Sequence, residues 1–123
     1  MIRILVIEPE APSRHALRNI LEGAGYEVEV AADGDDAAGV HAARPADLVI
    51  ADLADVGPHH TFPGTRMLAT AGGLTARDAQ AVNTVPVHHT LAKPFRRDDL
   101  LTAVRATLSA APSRPATAAM SPG

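Results

Sequence analysis

Asp47-Leu48-Val49-Ile50-Ala51-Asp52-Leu53 is an apolar run that ends in a carboxylate. Its consecutive apolar residues, Leu48 to Ala51, predict a strand buried on both faces, the kind that stands at the centre of a parallel sheet. Asp52 then marks the point where the strand leaves the sheet. In open parallel α/β folds ligands bind in the crevice outside the carboxyl ends of the strands, so an acid there is a candidate for chemistry. A carboxylate that merely caps a turn would occupy the same place, and this stretch alone does not separate the two.

The flanking segments supply the rest of such a sheet. Toward the amino terminus, Ile4 to Ile7 is a second uninterrupted aliphatic run, followed by Glu8-Pro9-Glu10, which brings two more carboxylates to a strand end. Pro12 suits the first turn of a helix. Leu17, Ile20, Leu21 and Ala24 recur at helical spacing and Gly25 is a stop, so a helix is expected from about Pro12 to Gly23. Tyr26 to Ala31 alternates, as a half-exposed strand near a sheet edge should. Asp33-Gly34 reads as a turn, and Asp35 to Ala43 as a weak helix ended by Pro45. The βαβαβ order requires parallel pairing with right-handed crossovers.

Beyond Asp52 the pattern breaks. Gly57, Pro58, Pro63 and Gly64 leave no room for a useful helix between Ala54 and Arg66. Arg66 to Ala71 is expected as strand 4, a short helix is expected from Thr75, paired with Asp78, to about Asn83 with Ala79 and Val82 inward, and Val87 to Ala92 as strand 5. Asp98 and Asp99 favour a helix start, and Leu100, Leu101, Val104 and Leu108 form its apolar stripe up to about Ser109. That stripe is better explained by core contact than by an interface. Residues 1–109 are thus expected to make one domain, and the Ala-, Pro- and Ser-rich residues 110–123 a disordered tail or truncated linker.

Composition narrows the function. A chain of 123 residues holds one real core. Its only aromatics are Tyr26, Phe62 and Phe95, and its net charge is −3, which argues against both base stacking and a phosphate-backbone partner. No cysteine is present, so disulfides, thiol nucleophiles and thiolate metal sites are excluded. The opening apolar run is too short to span a membrane and is followed at once by acids, which makes a cytoplasmic protein the expectation.

The strand ends would gather Glu8 and Glu10, Asp52, Thr70 and Lys93. Lys93 is the only lysine among eleven basic residues, and it stands before Pro94-Phe95. Alone it would read as surface charge. Beside the acids it reads as a placed point charge suited to phosphoryl oxygens. His59-His60 and His88-His89 are the histidine pairs that invite a zinc reading. The first falls in a loop and reads as solvated; neighbours on a strand point to opposite faces, which keeps His88 and His89 from sharing a metal.

Six segments in this order carry a resemblance: Ile4 to Glu8, Leu21 to Tyr26, Ala32-Asp33-Gly34, Pro45 to Asp52, Ala69-Thr70-Ala71 and Lys93-Pro94-Phe95. Over residues 1–109 they resemble the receiver domain of bacterial response regulators in two-component signalling. The resemblance implies a doubly wound, flavodoxin-like five-stranded parallel sheet in the order 2-1-3-4-5. It also implies phosphoryl transfer from a histidine kinase, or a phosphotransfer protein, to Asp52. Mg²⁺ would be held by Glu8 and Asp52, Thr70 would sense the phosphoryl group, and Lys93 would pair with it, commonly beside a cis Lys-Pro bond.

Three departures make the chain an atypical or degenerate member. Where the family has a second adjacent acid stands Pro9, which has no ligand to offer. Glu10 compensates only if the loop bends inward, and Asp55 is a weaker substitute, so Mg²⁺ binding is expected to be weak or absent. The interval from Asp52 to Thr70 is about a dozen residues short of the family's usual spacing, close to one ordinary helix. The family's third helix is therefore expected to be missing, replaced by the Gly/Pro loop. That would bare one sheet face between strands 3 and 4 unless Phe62 folds over it, and a bare face invites a partner, including a second copy. Finally Thr90 stands at the switch position where the family favours an aromatic, so signalling by aromatic rotation is not expected.

Two functions follow. One is a phosphorelay switch that accepts a phosphoryl group on Asp52 and acts on an output protein partner. The other is a pseudo-receiver, a protein–protein interaction module that keeps the fold and works without phosphorylation. Neither is an enzyme; a flavodoxin-like or nucleotide-binding enzyme would need a Gly-rich phosphate loop after strand 1, which is lacking.

Overall fold

The computed structural model describes residues 1–52, 62, 65–71 and 88–109. The elements are β1 (Arg3–Ile7), α1 (Ala11–Gly23), β2 (Glu27–Ala31), α2 (Gly34–Ala43), β3 (Leu48–Asp52), β4 (Arg66–Ala71), β5 (His89–Ala92) and a third described helix, α3 (Arg97–Ser109). The strands form one sheet in the order β2-β1-β3-β4-β5, and every pairing is parallel. This is the doubly wound order that the resemblance implies, with the organising strand β3 at its centre.

Side chains alternate across each strand, so the two-residue period splits the core into two slabs. Ile4, Val6, Leu48, Ile50 and Leu68 pack on one face with Leu21 of α1 and Leu100, Ala103 and Val104 of α3. Leu5, Ile7, Val49, Ala51 and Met67 pack on the other with Ala37 of α2 and with Phe62. Residues Ile4 to Ile7 are all 0–1% exposed, and at about 1.5–3 kcal/mol for each large side chain this strand is a principal source of stability.

Local chemistry sets the helix ends. Asp33 does not belong to a free turn; it is the N-cap of α2, where its side chain accepts the Asp36 N–H at 2.8 Å and Gly34 already opens the helix. Pro12 lies in the first turn of α1, where no N–H is missed. At the other end of α1, Ala24 is the C-cap and Gly25 takes φ +97°, a left-handed conformation that glycine adopts without Cβ strain. In α3 the buried line runs through Leu100, Ala103, Val104 and Thr107, while Leu101 and Leu108 are only half-buried. The stripe is rotated slightly from the expected one, with Ala103 and Thr107 in the buried line.

Phe62 is 5% exposed and meets the His41 ring edge-on, with centroids 5.2 Å apart. The face between β3 and β4 is therefore not bare: Val49, Ala51 and Met67 are buried within the chain. Phe62 thus supplies the cover that the expectation of a bare face allowed as its exception. The expected loop in place of a third helix, the short helix from Thr75 to Asn83, the start of strand 5 at Val87 and the tail 110–123 lie outside the described residues.

At the amino ends of the strands Arg3 is a buried cation. Its N–H donates to the Asp47 carboxylate at 2.8 Å and its Nε to the Arg44 carbonyl at 3.3 Å. Its Nη1 lies 3.6 Å from Glu27 and 3.7 Å from Glu29.

Candidate functional site

The opposite rim, at the carboxyl ends of the strands, is where the residues singled out from the sequence, Glu8, Asp52, Thr70 and Lys93, are placed. Strand parity puts Asp52 in line with Leu48 and Ile50, and Thr70 in line with Leu68, so both emerge on the side of the sheet covered by α1 and α3. Asp52 and Thr70 are register partners. One strand further out, Leu91 is the partner of Thr70, and the chain continues two residues to Lys93. There its N–H donates to the Ala71 carbonyl at 2.7 Å, extending the ladder.

From that anchored backbone the Lys93 ammonium reaches Asp52, Nζ to Oδ2 at 2.6 Å. The lysine side chain is 37% exposed and the aspartate 16%. So open a pair adds about 1 kcal/mol or less to stability. Its importance is positional: it sets a cation beside the carboxylate oxygen. The Lys93-Pro94 bond is cis. Thr70 is buried. Glu8, Lys93 and Phe95 line one hollow of about 540 Å³ with Ser13, Leu17 and Ile20 of α1.

Glu8 and Glu10 behave differently. The Glu8 N–H bonds the Ala31 carbonyl at 2.9 Å, continuing the β1–β2 ladder, which keeps this residue at the rim. Its Oε1 accepts the Glu10 N–H at 3.3 Å. Glu10 is exposed at the N-cap of α1 and does not turn inward. Arg14, which no motif singles out, donates from Nη1 to the carbonyls of Glu8 at 3.0 Å and Pro9 at 3.1 Å. It clamps the loop in this form.

These residues do not fit a Mg²⁺ site as they stand. A divalent ion of this size asks for several hard oxygens in octahedral array. Here Oδ2 of Asp52 faces an ammonium, Glu8 faces its own loop, and no group of three or more His, Asp or Glu converges among the described residues. Asp55, His59 and His60 lie outside those residues. His88 turns its ring onto the backbone of Met67, whereas His89 is exposed. Thr90 is exposed as well, and it pairs with Ala69, one position off the row that holds Asp52 and Thr70.

No protein-family model matches the sequence, and no curated protein matches it. Solved structures do resemble it. The signal receiver domain of an HD domain-containing protein from Pseudomonas fluorescens Pf-5 is 26% identical with a TM-score of 0.77, covering 87% of this chain and 94% of that one. A CheY-like response regulator receiver domain from Methanospirillum hungatei is 21% identical with a TM-score of 0.78, covering 88% and 94%. The chemotaxis protein CheY4 of Vibrio cholerae is 23% identical with a TM-score of 0.74, covering 87% and 98%. Among the described residues no helix is long and apolar enough to cross a membrane. The strand order, two-slab core and these neighbours together make the chain a domain of the CheY-like, response-regulator receiver fold.

Proposed function

We propose that this domain is a phosphorelay receiver that takes a phosphoryl group on Asp52 from the phosphohistidine of a histidine kinase or phosphotransfer protein. The observation that carries the reading is the 2.6 Å contact between Lys93 Nζ and Asp52 Oδ2. A cation at that position serves the acceptor oxygen before transfer and the phosphoryl oxygens after it.

In the step itself a carboxylate oxygen of Asp52 forms a bond to phosphorus as the bond from phosphorus to the donor's imidazole nitrogen breaks. The bonding pair returns to that nitrogen. Two anions are brought together, so charge on the three phosphoryl oxygens must be offset, and here Lys93 does this. Its ammonium needs to travel only from the carboxylate to the adjoining oxygens. Thr70, on the next strand in register, offers a hydroxyl to the same group. In this reading the counter-charge comes from Lys93, and Mg²⁺ contributes weakly or not at all. The receiver would act in the cytoplasm and pass its state to an output protein, with a second copy of the chain as one such partner.

A second reading, a phosphorylation-independent pseudo-receiver, is favoured by one feature: Pro9 and the Glu8–Glu10 turn stand where a metal-binding receiver needs acids. Intact mass after incubation with a small phosphodonor, with and without Mg²⁺, separates the two. A gain of one phosphoryl group in the natural chain and none in Asp52→Asn supports the switch. Absence of any gain, with Pro9→Asp restoring it, supports the pseudo-receiver.

A further inference from the structure

Two imidazoles at the amino ends of the strands perform the same task. The Nδ1 of His88 accepts the Met67 N–H at 3.0 Å, while the His88 N–H donates to the Met67 carbonyl at 2.9 Å. One residue thus holds both backbone polar groups of Met67. The Nδ1 of His41 accepts the Ala46 N–H at 3.1 Å. Its Nε2 lies 3.5 Å from the Thr65 hydroxyl, which donates to the Ala46 carbonyl at 3.1 Å.

A backbone N–H aimed at Nδ1 requires a bare nitrogen, so each ring is a neutral Nε2–H tautomer. For His41 this leaves Nε2–H to face the Thr65 oxygen, and every group in that chain of contacts has a complementary neighbour. Protonating Nδ1 would turn an acceptor into a donor pointed at a donor, losing the bond and stranding the amide.

The charges around the rings oppose that proton. Among the described residues His41 is met by Arg3 of β1, whose guanidinium lies beside Glu27 and Glu29 of β2 and whose backbone N–H bonds the Asp47 carboxylate before β3. Arg44 follows α2 and bonds Glu27. His88 is met by Arg66 of β4. Burial first, and then Arg3 for His41 and Arg66 for His88, lower the pKa of the two rings.

The strands held in this way end in the rim residues. β5 is the weakest of them: it has four residues, of which His89, Thr90 and Ala92 are exposed. Backbone bonds anchor its two ends, His88 on Met67 and Lys93 on Ala71. We propose that His41 and His88 form an acid-released clasp at the amino ends of β3, β4 and β5, whose protonation loosens β5 and with it the seating of Lys93.

Amide hydrogen exchange on the full chain, read by NMR at about pH 7.5 and about pH 5, tests this and does not depend on Asp52 being phosphorylated. Protection at Ala46, Met67 and Lys93 should fall about tenfold at the lower pH after correction for intrinsic exchange, with Leu21 of α1 unchanged. The variants His41→Asn and His88→Asn place an amide oxygen near the same N–H without titrating and should abolish the pH response. His88→Ala should leave Met67 poorly protected at both values. The clasp is overturned if Met67 is equally protected at both, if Leu21 falls in step, or if Met67 opens while Lys93 does not.

Discussion

Lys93 and Asp52, forty-one residues apart in the chain, meet at 2.6 Å across the carboxyl rim of the sheet. The contact spans three strands, and the intervening β4 presents Thr70 between them. A lysine tethered by its own backbone N–H to Ala71 is delivered to the acid by the sheet. Lys93→Ala should therefore slow labelling of Asp52 by a small phosphodonor about a hundredfold, the usual scale for removing one preorganised charge stabiliser, while leaving the urea midpoint nearly unchanged. Time-resolved intact mass gives the first quantity and a denaturation curve the second.

Phe62 is buried in the slab formed by Val49, Ala51 and Met67 and supplies the edge contact to His41. Phe62→Ala should cost about 3–5 kcal/mol, measured as a lower urea midpoint. Because it opens an apolar face, the variant should also self-associate in sedimentation where the natural chain does so less.

Stability should fall with acid below the ordinary histidine value of 6.5. Both His41 and His88 have lowered values in the fold. Above 6.5 neither state binds the proton, and the interaction is fully present. As pH drops, the unfolded chain takes up protons that the folded chain refuses, so stability is lost until the folded-state values are passed. Denaturation curves of the natural chain and of the double variant His41→Asn, His88→Asn should diverge in that window and run parallel above it.

Pro9→Asp would place a second carboxylate beside Glu8 at the rim. Mg²⁺ binding followed by calorimetry should tighten by about tenfold or more, since affinity for a hard cation rises with the number of charged oxygens. Equal weak binding by both chains would mean that Arg14 still holds the loop away from the site.

The sheet was legible because its central strands are buried on both faces and write that fact as unbroken aliphatic runs. Leu48 to Ala51 and Ile4 to Ile7 needed no partner information. The rim was legible for the same reason: a parallel sheet collects whatever follows each run, so Asp52, Thr70 and Lys93 had to converge. What stayed hidden depends on side-chain direction. Nothing in the spacing says that Arg14 turns back to the Glu8 and Pro9 carbonyls, or that Glu10 faces outward as a cap. His41 lies in a weakly amphipathic helix, and its role arises only from the backbone of Ala46 passing below it. Asp33 reads equally as turn chemistry because a turn and an N-cap use the same residue for the same hydrogen-bonding reason.

Arg3 carries a further consequence for how strands β1 and β2 find their alignment. Slide β2 by a single residue and Val28 would confront the guanidinium while a glutamate entered the hydrocarbon slab. Slide it by two, and only one of the two carboxylates would remain within reach. A buried cation at the start of the chain, with Arg44 closing on Glu27 from outside, thereby tells the edge strand where to stop.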